Sequence, residues 1–133
     1  MKSEQLKSLP LFEGIADEVV EECAPNFQET EMLAGTVLAR EGDFAYKFFV
    51  VLEGEVEVQR DLQHIATLGP GDFFGEMGVI ESGRRNARVL ASTRCKLAWM
   101  MIWDFDNMTK SHPEIAARIQ AAVEGRSGPA PAD

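Results

Sequence analysis

The chain reads as mainly β, a sandwich or roll of short strands, with helices at both ends. Three observations predict this. Short β-branched and aromatic runs recur at close spacing, separated by turns at Gly35, Gly42, Gly54 and Gly71. The run 55–58 alternates acid and valine, the period of a strand with one buried and one wet face. Helical spacing of apolar residues marks the two ends, before Phe27 and after Trp103.

The elements follow in order. Residues 3–8 form a short helix stopped near Pro10, and Leu9, Leu11 and Phe12 dock on the core. Ile15, Val19, Val20 and Cys23 recur at helical spacing with acids between them, which predicts a helix over 16–24 ended by Pro25. From Phe27 the character changes to strand and turn. A turn at Ala34-Gly35 leads into a strand over 36–39, and Glu41-Gly42-Asp43 marks the next turn. Residues 48–52 are apolar on both faces, as in a strand buried on both sides. Asp61-Leu62-Gln63 is a turn before a strand over 64–68, and Gly69-Pro70-Gly71 turns the chain again. Residues 87–91 and 95–101 read as closing strands, and Trp103 begins a helical region. Ser111-His112-Pro113-Glu114 has the form of a capping box with Ser111 as N-cap. Ile115, Ile119 and Val123 then share one face of a helix running to about Glu124 and ended by Gly125; that face is expected to pack within the molecule.

The stretch 71–89 stands apart. Gly71, Gly75, Gly78 and Gly83 fall close together, and glycine lets a ligand approach the backbone. Phe73-Phe74 precedes Gly75-Glu76. Met77, Val79 and Ile80 predict one turn of helix, whose N-terminus presents unpaired N–H groups and partial positive charge. Arg84, Arg85 and Arg88 follow. In a chain of formal charge −9, this local cluster of cations asks for an anion. A guanidinium fork matches two phosphate oxygens, whereas a carboxylate only accepts, so it suits a sugar hydroxyl and repels a phosphate.

Phe74-Gly75-Glu76-Met77-Gly78-Val79-Ile80, a loop, and then Arg85-Asn86-Ala87-Arg88-Val89 resembles the phosphate-binding cassette of cyclic nucleotide-binding domains. The resemblance covers about residues 5–120. It implies a β-roll of jelly-roll type, a double-stranded β-helix, with N-terminal helices, a short helix in the cassette and a C-terminal helix. It implies that Glu76 takes the ribose 2′-hydroxyl and Arg85 the cyclic phosphate. Amides around Gly75, Met77 and Gly78, and those of Asn86 and Ala87, add hydrogen bonds. Val58, Ile65 and Leu68 are candidates for the wall beside ribose or base, with plain core packing the competing role. Many family members carry Thr or Ser where this chain has Arg88, which favours cAMP over cGMP as the ligand; Arg88 itself could stack on the base, meet the phosphate or face solvent.

At 133 residues, 45% hydrophobic and 26% charged, the chain is expected to form one domain over 1–125, with a disordered Ser/Gly/Pro/Ala tail over 126–133. It has no apolar signal region and no membrane-spanning run, which predicts a cytoplasmic protein with no membrane partner. Cys23 and Cys95 are too few for a disulfide framework and read as buried reduced thiols. From Ser8 to Ala39 there are seven acids and no Lys or Arg, which argues against a nucleic-acid partner. No metal is expected: His64 and His112 are too few and too far apart for a cupin-type metalloenzyme, and no nucleophile–base arrangement can be argued, so the chain is not read as an enzyme. No helix-turn-helix, kinase or channel segment follows the roll. The expectation is therefore a stand-alone sensor, a monomer or weak homodimer, signalling through another protein. The alternative is a degenerate roll that binds no nucleotide and serves as an interaction module.

Overall fold

A computed structural model describes residues 1–42, 46–75 and 87–124. The chain opens with helices α1 (Ser3–Lys7) and α2 (Asp17–Cys23). Eight strands follow: β1 (Gln28–Met32), β2 (Val37–Ala39), β3 (Lys47–Glu53), β4 (Val56–Arg60), β5 (Gln63–Leu68), β6 (Phe73–Phe74), β7 (Arg88–Ala91) and β8 (Cys95–Met101). Helices α3 (Ile102–Ser111) and α4 (Pro113–Glu124) close the described chain. The strands form two four-stranded antiparallel sheets, ordered β1-β8-β3-β6 and β2-β7-β4-β5. This is the β-roll with flanking helices that the sequence predicts.

Strand β3 explains the layering. Its side chains alternate, and both faces are apolar. Phe48 and Val50 join the helix-side core with Phe12, Phe27, Phe105, Ile115 and Ile119. Phe49 and Val51 join the inter-sheet core with Phe74, Val58, Val89 and Leu97. Phe48 stacks on Phe105 of α3 at 4.4 Å between ring centroids, and Phe49 stacks on Phe74 at 4.7 Å. Each such side chain, fully buried, contributes about 1.5–3 kcal/mol by its removal from water. A helix layer, a double-faced sheet and a second sheet with one wet face follow from this one strand. On β4, Val56 and Val58 are fully buried while Glu57 and Gln59 lie on the outer face, as the alternation requires.

Local chemistry accounts for the corners. At Gly54, between β3 and β4, φ is +86° and a Cβ would collide with the Arg94 carbonyl, so no other residue fits without a backbone shift. The β4–β5 hairpin turns on Asp61 and Leu62, with φ of 53° and 64°. Gln63 belongs to β5, not to the turn.

The cap of α4 differs from the sequence reading. Ser111 is the last residue of α3. The His112 carbonyl accepts the N–H groups of Ile115 and Ala116, at 3.0 and 3.2 Å, so His112 is the N-cap. Pro113 decides this: it occupies the first helical position, where its missing N–H is harmless, and the cap must be the residue before it. The face of Ile115, Ile119 and Val123 packs on the helix-side core, as expected. The predicted helical turn at 77–80 and the tail 126–133 lie outside the described residues.

Candidate functional site

The predicted ligand loop leaves one sheet and enters the other. It departs from β6, at the edge of the first sheet, and returns at β7, inside the second. Phe74, just before it, and Ala87, just after, are fully buried in the same inter-sheet core. Gly75 is buried with φ +106°, a conformation that excludes most side chains. Both described ends are thus anchored beside Val58 and Leu68, which are buried in that cluster. Glu76, Met77, Gly78, Arg84, Arg85 and Asn86 lie outside the described residues.

The approach to the loop is pinned from several sides. The Gly71 N–H donates to the Val51 carbonyl, and the Val51 N–H to the Asp72 carbonyl, each at 2.8 Å. The Asp72 carboxylate accepts the Gly69 N–H at 2.8 Å. Gly71 has φ +89°, and a Cβ there would come within 2.9 Å of the Pro10 ring. The Pro10 carbonyl in turn accepts a 2.9 Å hydrogen bond from Nη1 of Arg118 on α4. A cavity of about 370 Å³ lies at this junction, lined by Pro10, Pro70, Gly71, Phe73 and Arg118 among others. Sequence reasoning missed Pro10 and Arg118 as neighbours of the loop, since nothing local links residues so far apart.

The remaining candidates take different faces. Arg88 pairs across β7–β4 with Gln59, on the outer face, while Val89 beside it enters the inter-sheet core. Arg88 Nε is buried and has no hydrogen-bond partner among the described residues. Nearby, Glu57 accepts hydrogen bonds from Gln59 Nε2 and His64 Nδ1, both at 3.1 Å. Those bonds, and the charges of His64 and Arg88, hold its carboxyl below the usual range. Ile65 is 39% exposed, at a register shift between β4 and β5, and is outside both core clusters.

The histidines sit in separate layers: His64 on β5, and His112 between α3 and α4 with Nε2 3.3 Å from Glu22. Among the described residues no group of three His, Cys, Asp or Glu side chains could hold a metal ion. Cys23 and Cys95 are both free and buried. Burial pushes the Cys23 thiol up to about 11, with smaller contributions from Glu22 and Glu114. No described helix is long and apolar enough to cross a membrane.

The sequence profile of the cyclic nucleotide-binding domain matches residues 29–112, from β1 through α3 and across the whole loop. The chain belongs to the cyclic nucleotide-binding domain family. Among relatives of this cyclic nucleotide-binding domain, a cyclic nucleotide-gated potassium channel of Rhizobium etli is 35% identical over 123 residues, covering 92% of this chain and 34% of the channel. The cyclic AMP receptor protein of Thermus thermophilus is 29% identical over 126 residues, covering 91% of this chain and 58% of that protein. The crystal structure of the Thermus thermophilus catabolite activator protein superposes with a TM-score of 0.75 at 28% identity, over 86% of this chain and 56% of that one. The chain thus spans about a third of the channel and just over half of the receptor protein. It is a ligand-binding regulatory domain of β-roll fold.

Proposed function

We propose that this domain is a cAMP sensor. The observation that carries the reading is the anchoring of Phe74 and Ala87 at one inter-sheet core, on either side of a segment that matches the family's cassette. In this reading Arg85 receives the cyclic phosphate, Glu76 the ribose 2′-hydroxyl, and the amides of Gly75, Met77, Gly78, Asn86 and Ala87 surround the phosphate. Arginine suits the phosphate because its fork meets two oxygens at once. Glu76 takes the sugar because a carboxylate repels phosphate and accepts from hydroxyl. Of the three wall candidates, Ile65 is the one exposed and open to ribose or base, while Val58 and Leu68 are buried in the inter-sheet core behind it.

Binding neutralises Arg85 and tightens the loop. The output leaves through the Gly71–Pro10–Arg118 junction toward α4, and from there to a partner protein. A ligand shifts that equilibrium only by its differential affinity for the two states.

Titration calorimetry with cAMP, cGMP and AMP tests the proposal. cAMP should bind most tightly, and AMP, with its open dianionic phosphate, least. Arg85→Ala removes one partner of a charged hydrogen-bonded pair and should weaken cAMP by about 30-fold to several-thousand-fold. In this reading Arg84 faces water, so Arg84→Ala should change affinity by less than about threefold. Equal losses at both arginines would overturn the assignment of roles. No heat with any of the three nucleotides would favour an interaction module instead.

A further inference from the structure

Strand β6 has two faces, and the candidate nucleotide loop is anchored on one of them. Phe74 turns into the inter-sheet core beside that loop, whereas Phe73 turns to the helix side. The cavity of about 370 Å³ lies on this second face, between the approach to β6 and helix α4. Its size falls in the ordinary span of small-molecule sites, roughly 300–1,000 Å³. Pro10, Leu11, Pro70 and Phe73 give it apolar walls, and Asp72 and Arg118 are the charged groups of its lining. These two charges are opposite, yet they do not pair with each other, and neither enters an ion pair with any described residue. Each is held by one hydrogen bond to the main chain. Asp72 Oδ2 accepts the Gly69 N–H at 2.8 Å, and Arg118 Nη1 donates to the Pro10 carbonyl at 2.9 Å. A carboxylate has a second oxygen and a guanidinium has further donors, so both keep capacity for a ligand.

We propose that this cavity binds a free α-amino acid with an apolar side chain. Its carboxylate meets the fork of Arg118, its ammonium group meets Asp72, and its side chain lies on the rings of Pro10 and Pro70. The pair of unmatched charges selects this class. A simple organic acid would satisfy Arg118 but be repelled by Asp72, and a simple amine would do the reverse. A phosphate monoester brings two negative charges to a site with one cation and one carboxylate. In a peptide the two termini are too far apart to share one small cavity. A zwitterion also carries no net charge, so a chain of formal charge −9 does not repel it at a distance. The walls supply no polar side chain beyond Asp72 and Arg118, which suits an apolar body. An occupant held at both ends would tie the approach to β6 to helix α4, alongside the Arg118–Pro10 bond. The amino acid is thus a second effector, bound on the opposite face of β6 from the nucleotide.

An NMR titration of the whole chain with L-leucine, without nucleotide, tests this. Saturable shifts should appear at the amides of Leu11, Gly71, Asp72 and Phe73 and not at Val58 or Val89, with a dissociation constant of about 1 mM or tighter. Isocaproate, which lacks the amine, and isoamylamine, which lacks the carboxylate, should each bind at least about tenfold more weakly, since each loses one charged hydrogen-bonded contact. Asp72→Asn keeps an oxygen for the Gly69 N–H and should erase the preference for leucine over isocaproate. Ala122 lines the cavity from an exposed position on α4, so Ala122→Leu fills the space without disturbing the core and should abolish the shifts. No saturable shift with leucine, isocaproate binding as tightly as leucine, or leucine binding that survives Ala122→Leu would each overturn the proposal. None of these outcomes bears on nucleotide binding, which rests on other residues and is read in a separate titration.

Discussion

Leu62 is the residue least suited to its own backbone. A two-residue hairpin of this hand needs positive φ at both central positions, which Asn-Gly or Asp-Gly supplies. Asp61 meets that requirement, and its N–H is further held by Glu41 Oε1 at 2.8 Å. Leu62, at φ 64°, pays about 1 kcal/mol for a left-handed conformation that glycine adopts freely. Leu62→Gly should therefore raise unfolding stability by roughly 1 kcal/mol in a urea titration. Gly54→Ala should do the reverse, lowering stability by at least about 1–3 kcal/mol, since it combines strained φ with a backbone collision. Cys23 belongs to the same scale. Its folded pKa is raised, so the neutral thiol is favoured in the native state. The stability this contributes is complete below the ordinary thiol value of 9.0 and is lost as pH climbs toward about 11. The urea midpoint should fall over that window in wild type and fall less in Cys23→Ala, each normalised to its own neutral-pH midpoint. Alternation along β4 was readable from sequence at this scale. The outward direction of Arg88 followed only once β7 was set in register against β4.

At the scale of elements, the helix layer depends on one sheet face. Phe48 of β3 and Phe105 of α3 stack directly, and Phe105→Ala should cost about 3–5 kcal/mol by opening a cavity between sheet and helix. Equilibrium denaturation measures it, and a loss under about 1 kcal/mol would mean that α3 is held elsewhere. The link from loop to α4 is sparser: one hydrogen bond from Arg118 to Pro10, and the Pro10 ring against Gly71. Arg118→Ala should speed amide exchange at Phe12 and Glu13, whose N–H groups close the N-terminal turn onto Leu9 and Pro10. Unchanged exchange there would remove this junction as the route from ligand to helix. The apolar stripe of α4 was legible from spacing alone. Its cap was misplaced by one residue because Ser-x-x-Glu is a looser constraint than a proline at the first helical position.

For the whole molecule, ligand binding and folding share one equilibrium. A ligand present at a hundred times its dissociation constant, and bound only by the native state, adds about 2.7 kcal/mol. For a domain of this size that corresponds to a rise in melting temperature of roughly 10 °C. cAMP should produce such a shift in a thermal melt, and Arg85→Ala should abolish it at the same concentration. An equal shift in the Arg85→Ala protein would place the phosphate on another group.

The order of strands and turns, the helices at either end and the glycine- and arginine-bearing loop were determined by the sequence alone. Each rests on residues within a few positions of one another, where strand period, helix spacing and turn chemistry act. Tertiary structure decided what those elements meet. Arg118 reaches Pro10 across 108 positions, Pro10 fills the space that a Cβ on Gly71 would need, and β5 is left at an edge with Leu62 and Ile65 in water. Contacts between distant segments impose no local period, so they become visible only when the two sheets are closed on each other.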